Sequence, residues 1–169
     1  MTILIMTIEK NMFRRNYDLK NILSFCNIRM NIIKKKDLDF GLTNETPILS
    51  KLRKFIDPTL QKTTNHFDPF DYRSTNCFVE LKTRRILHNQ YGDIMIGANK
   101  MEIALNTQKD VYFVFSCLDG LFYWKFDRNE YDRYVEYRIG GTTRRGCDES
   151  VECCYINSLA LTRMYDPTE

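Results

Sequence analysis

Asp71, Glu80 and Lys82 are the residues whose types and spacing point most directly to chemistry. They stand in residues 70–84, which read F-D-Y-R-S-T-N-C-F-V-E-L-K-T-R. Cys77-Phe78-Val79 is apolar and runs into Glu80-Leu81-Lys82, so this half reads as a strand. Alternate residues of a strand share a face. Glu80 and Lys82 then point one way, and Val79 and Leu81 turn to a core. Arg73-Ser74-Thr75-Asn76 is a polar turn. If residues 70–72 form a second strand paired with the first, Asp71 sits beside Glu80. Two carboxylates and one ammonium at a sheet edge are the minimum for holding a divalent metal and orienting a water for phosphodiester cleavage. The bland reading of the same letters is a surface Glu-x-Lys pair on an edge strand. On either reading, neither Glu80 nor Lys82 belongs to the core.

The surrounding pattern supplies elements to position these groups. Residues 41–56 read as a helix capped by Asn44 or Thr46, with Pro47 in its first turn. Ile48, Leu49, Leu52, Phe55 and Ile56 form its buried stripe. Glu45 at its start favours the helix dipole. Residues 60–72 and 76–83 read as two antiparallel strands. Arg84 and Arg85 follow Lys82 and either clamp phosphates or solvate a strand end. Residues 86–93 form a polar loop, in which His88 reads as a surface residue. Residues 94–107 are expected to be helical and to carry Asn99 and Lys100.

Residues 111–116 (V-Y-F-V-F-S) are nearly all apolar, which predicts a central strand covered on both faces. Asp119-Gly120 signals a hairpin, with residues 121–126 returning beside it. Trp124 reads as packing. Residues 127–138 interleave Arg128, Arg133 and Arg138 with Tyr131, Tyr134 and Tyr137, a pattern shared by nucleic-acid grips and ordinary exposed edges. Gly140 to Gly146 is a glycine-rich basic loop whose Arg144 and Arg145 can pair with phosphates. It lacks the Walker A spacing. Residues 151–156 read as a final strand, and residues 159–164 close the domain.

An Asp, eight residues, then Glu-x-Lys resembles the PD-(D/E)XK, or restriction-endonuclease-like, nuclease superfamily. F-D-Y, F-V-E-L-K-T-R-R and M-I-G-A-N-K look like a small nuclease-like group of large DNA viruses and phages. The resemblance covers roughly residues 38–156. The proline of the family name is shifted, since Pro69 stands two residues before Asp71; Asp68, in the literal Asp68-Pro69 dipeptide, is the second choice of acid. The resemblance implies an α/β fold (α+β by some schemes), a restriction-endonuclease-like core with a central mixed sheet flanked by helices. It also implies Asp71 and Glu80 as metal ligands helped by the Leu81 carbonyl, and Lys82 holding the attacking water or the phosphate. An acid on the first helix, here Glu45, would reach the metal. All-oxygen ligation selects Mg²⁺ or Mn²⁺. Arg84, Arg85, Lys100, Arg144 and Arg145 become candidate nucleic-acid contacts. The expected activity is metal-dependent hydrolysis of DNA, in viral recombination, repair or processing. The alternative is a nuclease-like scaffold with an unused site, acting as a DNA-binding or virion structural protein.

The totals set outer bounds. The chain has 169 residues, 43% hydrophobic and 28% charged, with a net charge of +3. That suits one nuclease-like domain, residues 37–169, with residues 1–36 as an accessory region that includes the basic run Lys34-Lys35-Lys36. The small net charge means that any basic patch arises from local clustering. Six Cys occur without a C-x-x-C pair, and neither His66 nor His88 lies at zinc-finger spacing from a Cys pair. Cys77 and Cys117 read as buried thiols, and the compartment as reducing, in host cytoplasm or nucleus for a viral protein or packaged in a virion. No stretch reaches the roughly 20 apolar residues of a membrane span. DNA is the expected partner; a second copy of the chain and virion or replication proteins are further candidates.

Overall fold

The computed structural model describes residues 35–36, 47–65, 67–141 and 150–165. Almost all of residues 1–36, expected to be an accessory region, residues 37–46 with the expected helix start at Asn44, Glu45 and Thr46, and residues 142–149 lie outside the described residues. Residues 47–55 are helical (α1). Leu52 is fully buried, and Ile48, Leu49 and Ile56 pack beside it. Phe55, expected on this stripe, is 38% exposed. It lies about 60° round the helix from Leu52, at the margin of the face that meets the sheet. Just past the helix, the Asp57 carboxylate accepts hydrogen bonds from the Thr59 N–H (2.8 Å), the Thr59 hydroxyl (2.7 Å) and the Ser74 hydroxyl (2.8 Å). These bonds, those from Thr59 foremost, hold its carboxyl below the usual value. They tie the end of α1 to the turn that precedes the Glu80 strand.

A mixed six-stranded sheet takes the order β1 (Gln61–Lys62), β2 (Tyr72–Arg73), β3 (Cys77–Thr83), β5 (Asp110–Cys117), β6 (Gly120–Lys125) and β9 (Thr162–Arg163). β3 and β5 are parallel and the other neighbours antiparallel. The expected strand over residues 60–72 is in fact two short strands, β1 and β2, with a loop between them. Asn65 and the Asp68-Pro69 turn divert the backbone there, and the Thr63 hydroxyl and N–H bond the carbonyls of Phe70 and Asp71.

β4 (Asp93–Gly97), β8 (Val151–Asn157) and β7 (Val135–Gly140) form a second, three-stranded sheet in the order β4-β8-β7. Residues 94–97, expected to open a helix, are therefore strand. Ile94 and Ile96 alternate inward and sit opposite Ile156 and Cys154. A long apolar run fits both periods, and pairing with β8 decides between them. Helix α2 (Ala98–Asn106) starts only after Gly97 and buries Met101 and Ala104. Residues 127–138, whose Arg and Tyr pattern suits a nucleic-acid grip or an ordinary exposed edge alike, hold the short helix α3 (Tyr131–Tyr134) and the start of β7.

Each face of the main sheet meets its own layer. Leu52, Leu60, Tyr72, Cys77, Val79, Leu81, Val114 and Met164 cluster on the α1 side. Phe70, Val111, Phe113, Phe115 and Trp124 cluster with Ile94, Ile96, Met101, Ala104 and Ile156 on the side of α2 and the second sheet. β5 feeds both clusters, as its unbroken apolar run requires. Trp124 is 6% exposed and stacks on Phe113 with centroids 5.8 Å apart. The hairpin turn is Leu118-Asp119, one residue earlier than expected, because Cys117 pairs with Gly120. Gly120 leaves the turn at φ +144°, a conformation open to glycine and strained for other residues. Among the described residues no helix is long and apolar enough to cross a membrane.

Candidate active site

β3 presents its chemistry by simple alternation. Cys77, Val79 and Leu81 enter the α1-side cluster, so Glu80 and Lys82 face α2 and the second sheet. β2 pairs antiparallel with Tyr72 opposite Val79, and one further step of that register sets Asp71 opposite Glu80. Backbone amides also alternate in direction along a strand. The Cys77 carbonyl accepts from the Ser74 N–H at 2.9 Å, so Leu81, four residues on, turns its N–H and C=O to the same edge. There the Leu81 N–H donates to Asp71 Oδ2 at 2.7 Å. β2 begins at Tyr72, so the Leu81 carbonyl lies at the edge where the ladder gives way to the Asp71 side chain.

Glu80 is 1% exposed, which overturns the expectation that it stands clear of the core. It lies beside Phe113 of the central strand, on the sheet face that α2 and the second sheet cover. Burial of a carboxylate is costly unless it is paired. Lys82 pairs with Glu80 Oε1, and the Lys100 Nζ lies 3.1 Å from Oε2. Both Glu80 oxygens are nevertheless buried without a well-formed hydrogen bond. Lys100 also donates to the Pro69 carbonyl, two residues before Asp71. Glu80 thus meets two ammoniums, with Asp71 opposite it on the neighbouring strand. Lys82 is 31% exposed at its side chain, against 19% for Lys100.

This donor set fits a hard divalent cation. It offers oxygen ligands alone, Asp71, Glu80 and the Leu81 carbonyl, and the buried Glu80 oxygens have ammonium neighbours but no well-formed hydrogen bond. Among the described residues no third carboxylate, His or Cys completes a metal-binding cluster. Glu45 lies outside the described residues, as do Arg144 and Arg145. Asp68, the second-choice acid, faces Arg73 at 3.5 Å.

The adjacent arginines part company. Arg84 Nη2 donates to the Met95 carbonyl at 2.9 Å, and burial pulls its pKa down. Arg84 thus fastens β3 to the second sheet instead of reaching outward. Arg85 is exposed. His88 pairs with Asp119 at 2.5 Å and stacks on Phe122, centroids 4.0 Å apart. Burial raises the Asp119 carboxyl, but the His88 side-chain and backbone hydrogen bonds outweigh it and leave the net shift downward. This pair ties the loop of residues 84–92 to the hairpin. Burial, with Asp119 adding to it, pushes the Cys117 thiol up to about 11, so it is a poor nucleophile.

Sequence reasoning gave Lys100 as a candidate nucleic-acid contact and did not anticipate its pairing with Glu80. A signal existed. Lys100 lies in the first turn of α2, which has no acid to offset the positive helix end. A cation there calls for a carboxylate from elsewhere in the fold.

No curated protein and no solved structure matches this chain. Residues 37–161 match the model of a family described as "Phage putative PDDEXK endonuclease". The match spans the Asp71, Glu80 and Lys82 strands, α2 and the second sheet, and on it the chain belongs to this phage PD-(D/E)XK endonuclease family.

Proposed function

We propose that the protein is a Mg²⁺- or Mn²⁺-dependent nuclease that hydrolyses DNA phosphodiester bonds. One observation carries the reading: the buried Glu80 carboxylate, its oxygens without well-formed hydrogen bonds, flanked by Lys82 and set across the strand pair from Asp71. Asp71, Glu80 and the Leu81 carbonyl would hold the ion, which neutralises charge developing on the phosphate and lowers the pKa of a bound water. Lys82, on the Glu80 face and reaching solvent, orients the attacking water or stabilises the phosphate oxygens. A site role for Glu45 and phosphate contacts from Arg144 and Arg145 remain part of this proposal.

The test is incubation of the purified chain with supercoiled plasmid and with single-stranded circular DNA, in Mg²⁺, Mn²⁺ or chelator, beside Glu80→Gln. Cutting that needs the ion and is absent from Glu80→Gln is expected. DNA retention without cutting in any metal would instead support the scaffold reading.

The different settings of the two arginines yield a further expectation. Arg85→Ala should weaken DNA binding and reduce the slope of log affinity against log salt by about 1. Arg84→Ala should lower thermal stability while leaving that slope unchanged. Equal salt slopes for the wild type and Arg85→Ala would remove Arg85 from the interface.

A further inference from the structure

We propose that Lys100 is the resident counter-cation of Glu80, and that a divalent ion has to compete with it for the carboxylate. The inference rests on the metal-dependent reading above and assigns Lys100 a regulatory place in that site. Glu80 is 1% exposed, so its charge is stable only beside a cation. Lys82 takes Oε1 and Lys100 takes Oε2, at 3.1 Å for the latter. Lys100 is the more enclosed of the two, 19% exposed against 31%.

Its second contact is the Pro69 carbonyl, and its ammonium lies 5.7 Å from the Phe70 ring centroid. Lys100 therefore ties the segment leading into Asp71 to the strand that carries Glu80. It does so from the first turn of α2, where the helix dipole disfavours a cation and no local acid compensates. The position costs the helix something, and the Glu80 pair offsets it.

With both lysines in place the four side chains balance in charge. A divalent ion at Glu80 adds two positive charges beside two ammoniums in a site of low effective dielectric, where repulsion is strong. Lys100 thereby weakens cation binding to the empty protein. A phosphodiester brings the negative charge that relieves this repulsion. By linkage, cation and nucleic acid then strengthen one another's binding by equal factors. Lys100 makes loading of the site conditional on substrate, and acts as a positioning residue for Glu80 and the Asp71 segment.

The test uses the full chain without DNA. Calorimetric titration with Mn²⁺ of wild type, Lys100→Met and Lys100→Gln is expected to show binding about tenfold tighter in both variants. Lys100→Gln keeps a donor for the Pro69 carbonyl and guards against a loss of fold. In chelator, Lys100→Met is expected to melt below wild type, and the double variant Glu80→Gln/Lys100→Met to regain most of the loss, as a coupled pair requires. Equal or weaker Mn²⁺ binding by both variants overturns the competition and leaves the nuclease reading standing. No Mn²⁺ binding by any of the proteins overturns both. Additive melting losses in the double-mutant cycle overturn the pairing itself.

Discussion

Lys82→Met is expected to lower the rate of DNA cleavage by about a thousandfold while leaving the fold in place. Lys82 shares a strand face with Glu80 and is partly exposed, so its removal opens no cavity in either core cluster. Glu80 keeps Lys100 as a counter-ion, so the carboxylate is not stranded. The loss should therefore fall on the chemical step, where an ammonium that orients a water or meets developing charge contributes most. Initial rates on plasmid DNA with Mn²⁺, beside thermal melts and a Mn²⁺ titration, separate the cases. A folded Lys82→Met protein that cuts at the wild-type rate would sink the role given to Lys82. Glu80→Ala is a poorer probe than Lys82→Met, because burial makes it a stability change as well: it leaves two ammoniums facing a void. Glu80→Gln preserves the volume and removes the charge.

The largest loss of stability is expected at Phe113. Phe113→Ala should cost about 3–5 kcal/mol, a large part of the 5–15 kcal/mol that typically holds a domain together. Phe113 is fully buried on the central strand β5, opposite Glu80 in β3 and Trp124 in β6. Its removal takes away the stacking partner of Trp124 and leaves a cavity where the main sheet, α2 and the second sheet meet. The same cavity lies against the strand that carries Glu80. Cleavage is thus expected to fall even at temperatures where the variant stays folded, as the packing that fixes the carboxylate loosens. Urea unfolding followed by Trp124 fluorescence, with rates taken well below the midpoint, measures both. A cost under about 1 kcal/mol would show that the surrounding layers collapse into the gap and that the site does not depend on this packing.

Much of the site is legible in residues 70–84 because the relevant physics is local. The two-residue period of a strand sets Glu80 and Lys82 on one face and Val79 and Leu81 on the other, whatever the rest of the chain does. The polar turn of residues 73–76 is short enough to fix the register that brings Asp71 towards Glu80. The unbroken apolar run of β5 likewise announces a strand covered on both sides. These features were available before any fold was known.

Tertiary structure decided the rest. The apolar run of residues 94–105 satisfies strand and helix periods alike, and it divides at Gly97 because β8, more than fifty residues away, pairs with the first part. That division sets where α2 begins, and hence that Lys100 lies over Glu80. Arg84 and Arg85 look equivalent in sequence. Only the placement of the Met95 carbonyl turns one inward and leaves the other at the surface. Even the burial of Glu80 comes from outside its own strand, from a layer of α2 and second-sheet residues that no local pattern could place. Residue type and strand period determined which groups could act together; long-range packing determined which charges they meet and how far water is kept from them.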